Sequence, residues 1–285
     1  MSAEFPVSEA EIDALITEDV PYGDLTTRVL GIGAAPGRIT FAARQPMVVC
    51  GVEEAARVME RMGASIGQAI ASGANIGRGE LLLEATGPAS ALHGGWKVSQ
   101  TMMEWASGIA SSVAAIRAAA RGAADHVQIA CARKAPPYTR RLAVKAVIAG
   151  GGQMHRSGLS ETILIFPEHL AFFDGEDAIE RAITRARCNA PERKIVVEVT
   201  DEANAAEAAR AGADVIQLEK FSPEAVARVA AALSGRSGGR PLLAAAGGIQ
   251  AINAAAYAAA GADILVTSAP YNAPSAEVQV RIERL

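Results

Sequence analysis

Aromatic residues are scarce in this chain: phenylalanine, tyrosine and tryptophan make up 4% of 285 residues, although half of all residues are hydrophobic. A core poor in rings must be filled by small aliphatic side chains, which suits helices packed closely on a sheet. So high a hydrophobic fraction also excludes disorder. Cysteine is rarer still. Cys50, Cys131 and Cys188 lie far apart and share no CxxC spacing, so they form no metal-ligand pair and read as reduced thiols. An excess of charge is missing too, since 27 Lys+Arg against 31 Asp+Glu leave a formal net charge of −4. That field attracts no polyanion, so neither nucleic acid nor anionic membrane is expected as a partner. No apolar run approaches the roughly 20 residues that span a bilayer. The acidic opening MSAEFPVSEAEIDALITEDV lacks the basic start and apolar stretch of a signal peptide. These absences lead to the expectation of a soluble, cytoplasmic protein.

What is present has two textures. Ser8 followed by Glu11 forms a capping box, and Ile12, Leu15 and Ile16 then repeat at helical spacing. PYGDLTT breaks that pattern and reads as a turn. From Gly37 to about Leu92, β-like runs (RITFAA, MVVCGV, ELLLEA) alternate with glycine-rich turns such as SGANIGRGE, around one helix, EEAARVMERMG. This is a small α+β domain. WKVSQTMMEWASGIASSVAAIRAAARG gives a long helical stretch, either one helix or two meeting near Gly108. After Gly122 the rhythm changes. HVQIACA, ETILIF, KIVVEVT, ADVIQLE, PLLAAAG and ADILVTS are buried parallel strands, most of them separated by helices. The phrase ARAGADVIQLE returns as AAAGADILVTS, as expected where each unit of a β/α barrel solves the same packing problem. No GxGxxG follows an early strand, so a barrel is preferred over a Rossmann sheet. The expected division is an N-terminal α+β domain over 1–108, an incomplete, TIM-like α/β barrel over 109–272, and a C-terminal segment over 273–285 that returns to the first domain.

In such barrels the chemistry sits at the C-terminal strand ends, where the βα loops converge. Those ends carry Arg133 and Lys134, then His155 and Arg156 after GGGQM, Glu198 inside KIVVEVT, Glu219 and Lys220, Gly247 and Gly248, and Thr267 and Ser268. A glutamate among valines on a buried strand must be paired or bind a cation, because burying it bare is costly. Paired glycines before a helix expose N–H groups that can cradle phosphate. The set points to an anionic, phosphorylated substrate and a divalent metal. Each member also has a plainer role available: a solvated Arg-Lys loop, a packing histidine, a tight glycine turn.

These residues also carry a resemblance. EDVPYGDLT resembles the EDxxxGDxT signature of quinolinate phosphoribosyltransferases, EWASGIAS their SGIAT helix, and ARKAPPYTR their TRKTTPGLR loop. GGGQMHRSGLSETILIF is similar to GGGxNHRxGLxDxxLIK, VEVTDEANAAEAARAGADVIQLEKFSPE to VEVxxxEEAxxAxxAGADxIMLDNxSPE, and AAGGI to SGGI. LSETILIF and the loss of LIKDNH resemble a branch of the family associated with molybdenum utilisation. The resemblance implies a homodimer in which one subunit's N-terminal domain covers the partner's barrel. It implies attack of a ring nitrogen on C1 of phosphoribosyl pyrophosphate (PRPP), with pyrophosphate leaving. By the same resemblance Lys134, Glu198 and Glu219 are catalytic, and Glu198 and Glu219 hold Mg2+ or the ribose hydroxyls. Gly247, Gly248, Thr267 and Ser268 bind the 5′-phosphate. Arg133, Lys134, His155, Arg156 and Lys220 face the acidic ring and pyrophosphate. Lys97 reaches in from the neighbouring subunit.

Several positions depart from the family's pattern. Phe166 replaces the lysine of LIKDNH, Lys97 replaces an arginine, and Glu219-Lys220 stand where the family has Asp-Asn. The donor side is kept while acceptor-side cations are depleted, so the acceptor is expected to be less anionic than quinolinate or differently shaped, with Phe166 stacking on its ring. Two other readings compete. One is a non-catalytic binding or regulatory homologue linked to molybdenum utilisation. The other is a barrel lyase using Lys134 or Lys145 as a Schiff base, which requires a lowered lysine pKa.

Overall fold

The computed structural model describes residues 7–175, 177–235 and 239–285. Residues 1–6 of the expected N-terminal domain, and position 176 in the helical stretch GEDAIERAITRARC, lie outside the described residues. Of the described residues, those up to Ala114, 135–151 and 270–285 form one compact unit; those of 115–134 and 152–269 form another. The first unit therefore takes in residues 135–151, which the sequence reading assigned to the barrel.

In chain order the first elements are α1 (Glu9–Asp19), α2 (Leu25–Val29), β1 (Pro36–Ala43), β2 (Met47–Val48), α3 (Val52–Arg61), β3 (Ser65–Ala69), β4 (Asn75–Ile76), β5 (Leu81–Pro88) and α4 (Ala89–Arg121). The Ser8–Glu11 capping box opens α1. Within the segment read as a turn, Asp24 accepts from the N–H groups of Thr26 and Thr27 and starts α2. β1 alternates buried and half-buried residues, putting Ile39, Phe41 and Ala43 into the core with Val58, Met59, Leu82, Leu83 and Leu92. The final strand, β13 (Val278–Arg284), pairs antiparallel with β1, giving the sheet order β13-β1-β5-β3. α4 is one helix of 33 residues, not two. Gly108 does not break it: a Cβ there would lie 2.5 Å from the carbonyl oxygen of Pro274, so the glycine permits close backbone approach.

The chain continues through β6 (Gln128–Cys131), α5 (Arg140–Ala149, in the first unit), β7 (Gln153–Met154), β8 (Ile163–Ile165), α6 (Pro167–Leu170), α7 (Ala178–Asn189), β9 (Ile195–Val199) and α8 (Glu202–Arg210). It ends with β10 (Val215–Glu219), α9 (Pro223–Leu233), β11 (Leu242–Ala246), α10 (Ala251–Ala259), β12 (Ile264–Thr267) and β13 (Val278–Arg284). The second unit holds a seven-stranded sheet in the order β7-β6-β12-β11-β10-β9-β8, every pairing parallel. That order is the chain order wrapped into a ring and opened once, between β7 and β8. It is the topology of an α/β half-barrel, not of a Rossmann sheet. The interior holds Ala130, Leu164, Val196, Val215, Ala244, Ala246 and Val266. Such small side chains are what a narrow strand curl accommodates.

The repeated AGAD phrase has a physical explanation. Gly212 and Gly261, at φ 87° and 95°, end their helices in the left-handed conformation. The aspartate two residues later turns back to the start of a neighbouring strand. Asp214 accepts from the N–H of Ile195 at 2.8 Å, and Asp263 from that of Leu243 at 2.7 Å. Arg187 and Lys194 neutralise Asp214, and Arg240 neutralises Asp263. These carboxylates tie the strand starts together at the base, opposite the rim where chemistry is expected.

Candidate active site

Strand register brings the expected residues to one rim. Cys131 pairs with Thr267 on one side and Met154 on the other; Ala246 pairs with Glu219 and Val266; Glu198 pairs with Gln217; and Ile165 pairs with Val197. Arg133-Lys134, His155-Arg156, Phe166, Glu198, Glu219-Lys220, Gly247-Gly248 and Thr267-Ser268 are therefore at or just beyond adjacent strand ends. Parity gives direction. Val196 and Val215 are interior, so Glu198, Gln217 and Glu219, two or four residues on, face the same interior.

Glu198 is the electrostatic centre. Burial and the facing charge of Glu219 hold its carboxyl above the usual range, against the Gln217 amide, which donates to it, and the charge of Lys134. Gln217 is itself buried, and its Oε1 has no partner among the described residues. Sequence reading missed Gln217, although the signal was the one that revealed Glu198: a polar residue within an apolar strand. Two carboxylates and an amide oxygen without a described partner make a cluster of hard oxygen donors. No group of three or more His, Cys, Asp or Glu side chains suited to a metal occurs among the described residues. The cluster fits Mg2+, which takes one or two carboxylates and completes its shell with water and substrate oxygens.

Across the rim stand the cations. The N–H of His155 donates to Cys131 at 2.9 Å, extending the β6–β7 ladder by one residue and fixing where Arg156 begins. Burial, with Arg156 adjoining, lowers the His155 pKa, so its ring is neutral at pH 7. Burial and the neighbouring charge of Arg133 lower that of Arg156. The Arg156 guanidinium lies 5.5 Å from the centroid of the Phe166 ring. Phe166 in turn stacks on His169, with centroids 5.7 Å apart and planes 15° apart, and its N–H donates to His169 Nδ1 at 2.9 Å. The ring expected to stack on an acceptor thus has protein partners, and His169 is a rim residue that sequence reasoning did not single out.

Just beyond β11, Gly247 and Gly248 have φ 89° and 75°. A Cβ on Gly247 would lie 2.7 Å from Lys220 Cγ and 3.0 Å from Lys220 N, whereas one on Gly248 meets nothing within 4 Å. Gly248 is thus open for a ligand to approach the backbone. Lys220 is left-handed at φ 61°, its N–H donating to Ala246 at 2.8 Å. The Thr267 hydroxyl is engaged internally, donating to Ile249 and accepting from the Ala269 N–H. The Thr267 hydroxyl is therefore already committed, and of the two hydroxyls at this strand end that of Ser268 is the more available. Lys97 belongs to the first unit, exposed on α4, with its ammonium on Gln100 Oε1 at 2.8 Å and over the Trp96 ring. Lys145 is excluded as a Schiff base. Burial pulls its pKa down, but Glu54 at 2.6 Å and Glu53 at 2.9 Å outweigh it and hold the ammonium charged above the ordinary value.

Fold and rim together define the class: an α/β half-barrel enzyme whose site lies on its strand ends. The chain belongs to the quinolinate phosphoribosyl transferase family. The model of that family's N-terminal domain matches residues 24–107 and that of its C-terminal domain residues 109–281. It is 52% identical over 251 residues to ModD of Rhodobacter capsulatus, named a pyrophosphorylase, covering 88% of this chain and 96% of that protein. It is 30% identical over 216 residues to the human carboxylating nicotinate-nucleotide pyrophosphorylase, covering 75% of this chain and 71% of the human protein. The crystal structure of NadC from Streptococcus pyogenes superimposes with a TM-score of 0.87 at 26% identity, over 97% of this chain and 96% of that one. No helix among the described residues is long and apolar enough to cross a membrane.

Proposed function

We propose that this enzyme joins the ribose phosphate of PRPP to the ring nitrogen of a small heteroaromatic acid, quinolinate or a related acceptor. The nitrogen lone pair forms the bond to C1, the C1–oxygen bond breaks, and pyrophosphate leaves with the electron pair. The observation that carries the reading is the division of one rim into a cationic side and an oxygen-donor side. Arg133, Lys134 and Arg156 face the negative charge of the acid and of departing pyrophosphate. Glu198 and Glu219 face the ribose, where positive charge develops at C1. The open backbone at Gly248 takes the 5′-phosphate, with Ser268 beside it. Neutral His155 can donate a hydrogen bond without adding a third charge to the arginine pair.

Mg2+ would be held by Glu198 and Glu219 together with substrate oxygens, and when bound it neutralises charge building on the leaving group. A homodimer completes the reading, with Lys97 supplied to the partner's site. Its support is an apolar stretch left bare on the first unit: Tyr22, Leu25, Val29 and Leu30 are all exposed. The acceptor side holds Phe166 where the family pattern has a lysine, which favours an acceptor less anionic than quinolinate.

The test is a coupled assay with PRPP, Mg2+ and quinolinate, following pyrophosphate and the mononucleotide product. Turnover establishes the transferase on that acceptor. Tight Mg2+-dependent PRPP binding without turnover keeps the donor half and moves the search to acceptors with fewer carboxylates. Absence of PRPP binding refutes the transferase reading and leaves a non-catalytic role.

A further inference from the structure

Among the described residues, the sheet of the second unit has one unpaired opening, between β7 and β8; Phe166 follows β8 directly and Arg156 lies two residues beyond β7. No backbone ladder crosses there. What crosses is an arginine side chain over a phenyl ring, the guanidinium carbon 5.5 Å from the ring centroid, with that ring stacked on His169. The imidazole is held in turn, because its Nδ1 accepts the Phe166 N–H at 2.9 Å. This fixes one tautomer and leaves Nε2 to carry the proton in the neutral ring. Arg156 needs such support. The positive charge of Arg133 lies close enough to disfavour its own, and no carboxylate forms an ion pair with either arginine among the described residues. A flexible guanidinium repelled by its neighbour would swing towards solvent. The ring contact uses none of the N–H donors of Arg156, and no described residue accepts from them, so they stay free to grip a planar carboxylate by two parallel hydrogen bonds.

We propose that Phe166 and His169 are positioning residues: they form a platform across the open seam that holds the Arg156 guanidinium edge-on to the acid group of the acceptor. Phe166 then acts through Arg156 and not by stacking on the substrate. The substrate arm of this inference rests on the transferase reading above; the stack itself does not.

Two measurements test it. The first is an unfolding double-mutant cycle on Phe166→Leu and Arg156→Lys, which removes the ring and the planar cation in turn. A coupling of about threefold or more in the unfolding constant is expected. Additive effects overturn the platform whatever the acceptor proves to be. The second uses quinolinate with saturating PRPP and Mg2+. Phe166→Leu is expected to raise the quinolinate KM about tenfold, with kcat and PRPP affinity little changed. Phe166→Tyr, which keeps the ring, should recover most of that loss, and Phe166→Leu should add little on an Arg156→Lys background. An unchanged quinolinate KM in Phe166→Leu, or a tyrosine variant as impaired as the leucine, overturns the proposal. If wild-type protein binds PRPP but neither binds nor turns over quinolinate, the choice of acceptor fails, and the unfolding cycle still decides the stack.

Discussion

Replacing Asp214 with alanine removes three interactions at the barrel base, and their sizes can be ranked. The carboxylate accepts from the Ile195 N–H at 2.8 Å, from Arg187 at 2.9 Å and from Lys194 at 3.1 Å, with 18% of its side chain exposed. A charge-assisted bond to a part-buried backbone N–H is worth about 1.5–3 kcal/mol, more than a neutral one. The two ion pairs involve well-exposed cations and add at most about 1 kcal/mol together. Asp214→Ala should therefore cost about 2–4 kcal/mol, and Asp214→Asn, which retains an acceptor oxygen, about half of that. Urea denaturation followed by circular dichroism measures both. The pH dependence supplies a sign. Burial opposes ionisation, but the Ile195 N–H and the two cations prevail and hold the folded pKa below its ordinary value. The stability it contributes is thus present above the unfolded aspartate pKa of about 3.9 and disappears as pH falls through the lower folded value. Wild type should lose this increment in acid, while Asp214→Asn shows a flatter slope. Equal costs for alanine and asparagine, or an unchanged acid slope, would refute the account of the AGAD repeat.

Gly247→Ala forces a Cβ to within 2.7 Å of Lys220 Cγ at φ 89°; it should cost about 1–3 kcal/mol and weaken PRPP binding, read by calorimetry. Lys145→Ala leaves the buried Glu54 carboxylate without its closest cation and should destabilise the first unit by about 3 kcal/mol, measured by thermal melting. Because the Lys145 pKa is raised in the fold, that pair's contribution holds below the unfolded lysine pKa of about 10.4 and fades as pH rises through the folded value. His155 has the opposite character: its folded pKa is depressed, so its share of stability is present above about pH 6.5 and is lost as pH falls. His155→Asn should flatten the melting-temperature profile on the acid side of that value.

The long apolar strands were legible because burial on both faces leaves a continuous aliphatic run, as in β9 and β10. β7 was not, since two residues in a glycine-rich loop carry no period. β3, with four of its five residues exposed, lacks the alternation that marks a half-buried strand. Gly108 left two readings open for a different reason: glycine in a helix signals either a break or a close approach, and only the position of Pro274 distinguishes them. At the rim, residue types and strand-end positions could be read directly, so Arg133, Arg156, Glu198 and Glu219 were found. Partnerships across strands depend on register and rotamer. The Gln217 amide on Glu198, the internal commitment of the Thr267 hydroxyl and the role of His169 therefore emerged only from three-dimensional contacts.

The aspartate ties at the base have a consequence for how such a sequence can change. Among the described residues, the ion pairs on Asp214 and Asp263 lie at the strand starts of the half-barrel, and none of the rim groups Arg133, Lys134, Arg156, Glu198 and Glu219 takes part in an ion pair. Foundation and reactive surface use separate residues. Substitutions at the rim can then retune which molecule is accepted without drawing on the ion pairs that tie the strand starts. An aromatic residue can thereby occupy a position such as 166 while the barrel beneath it stays the same.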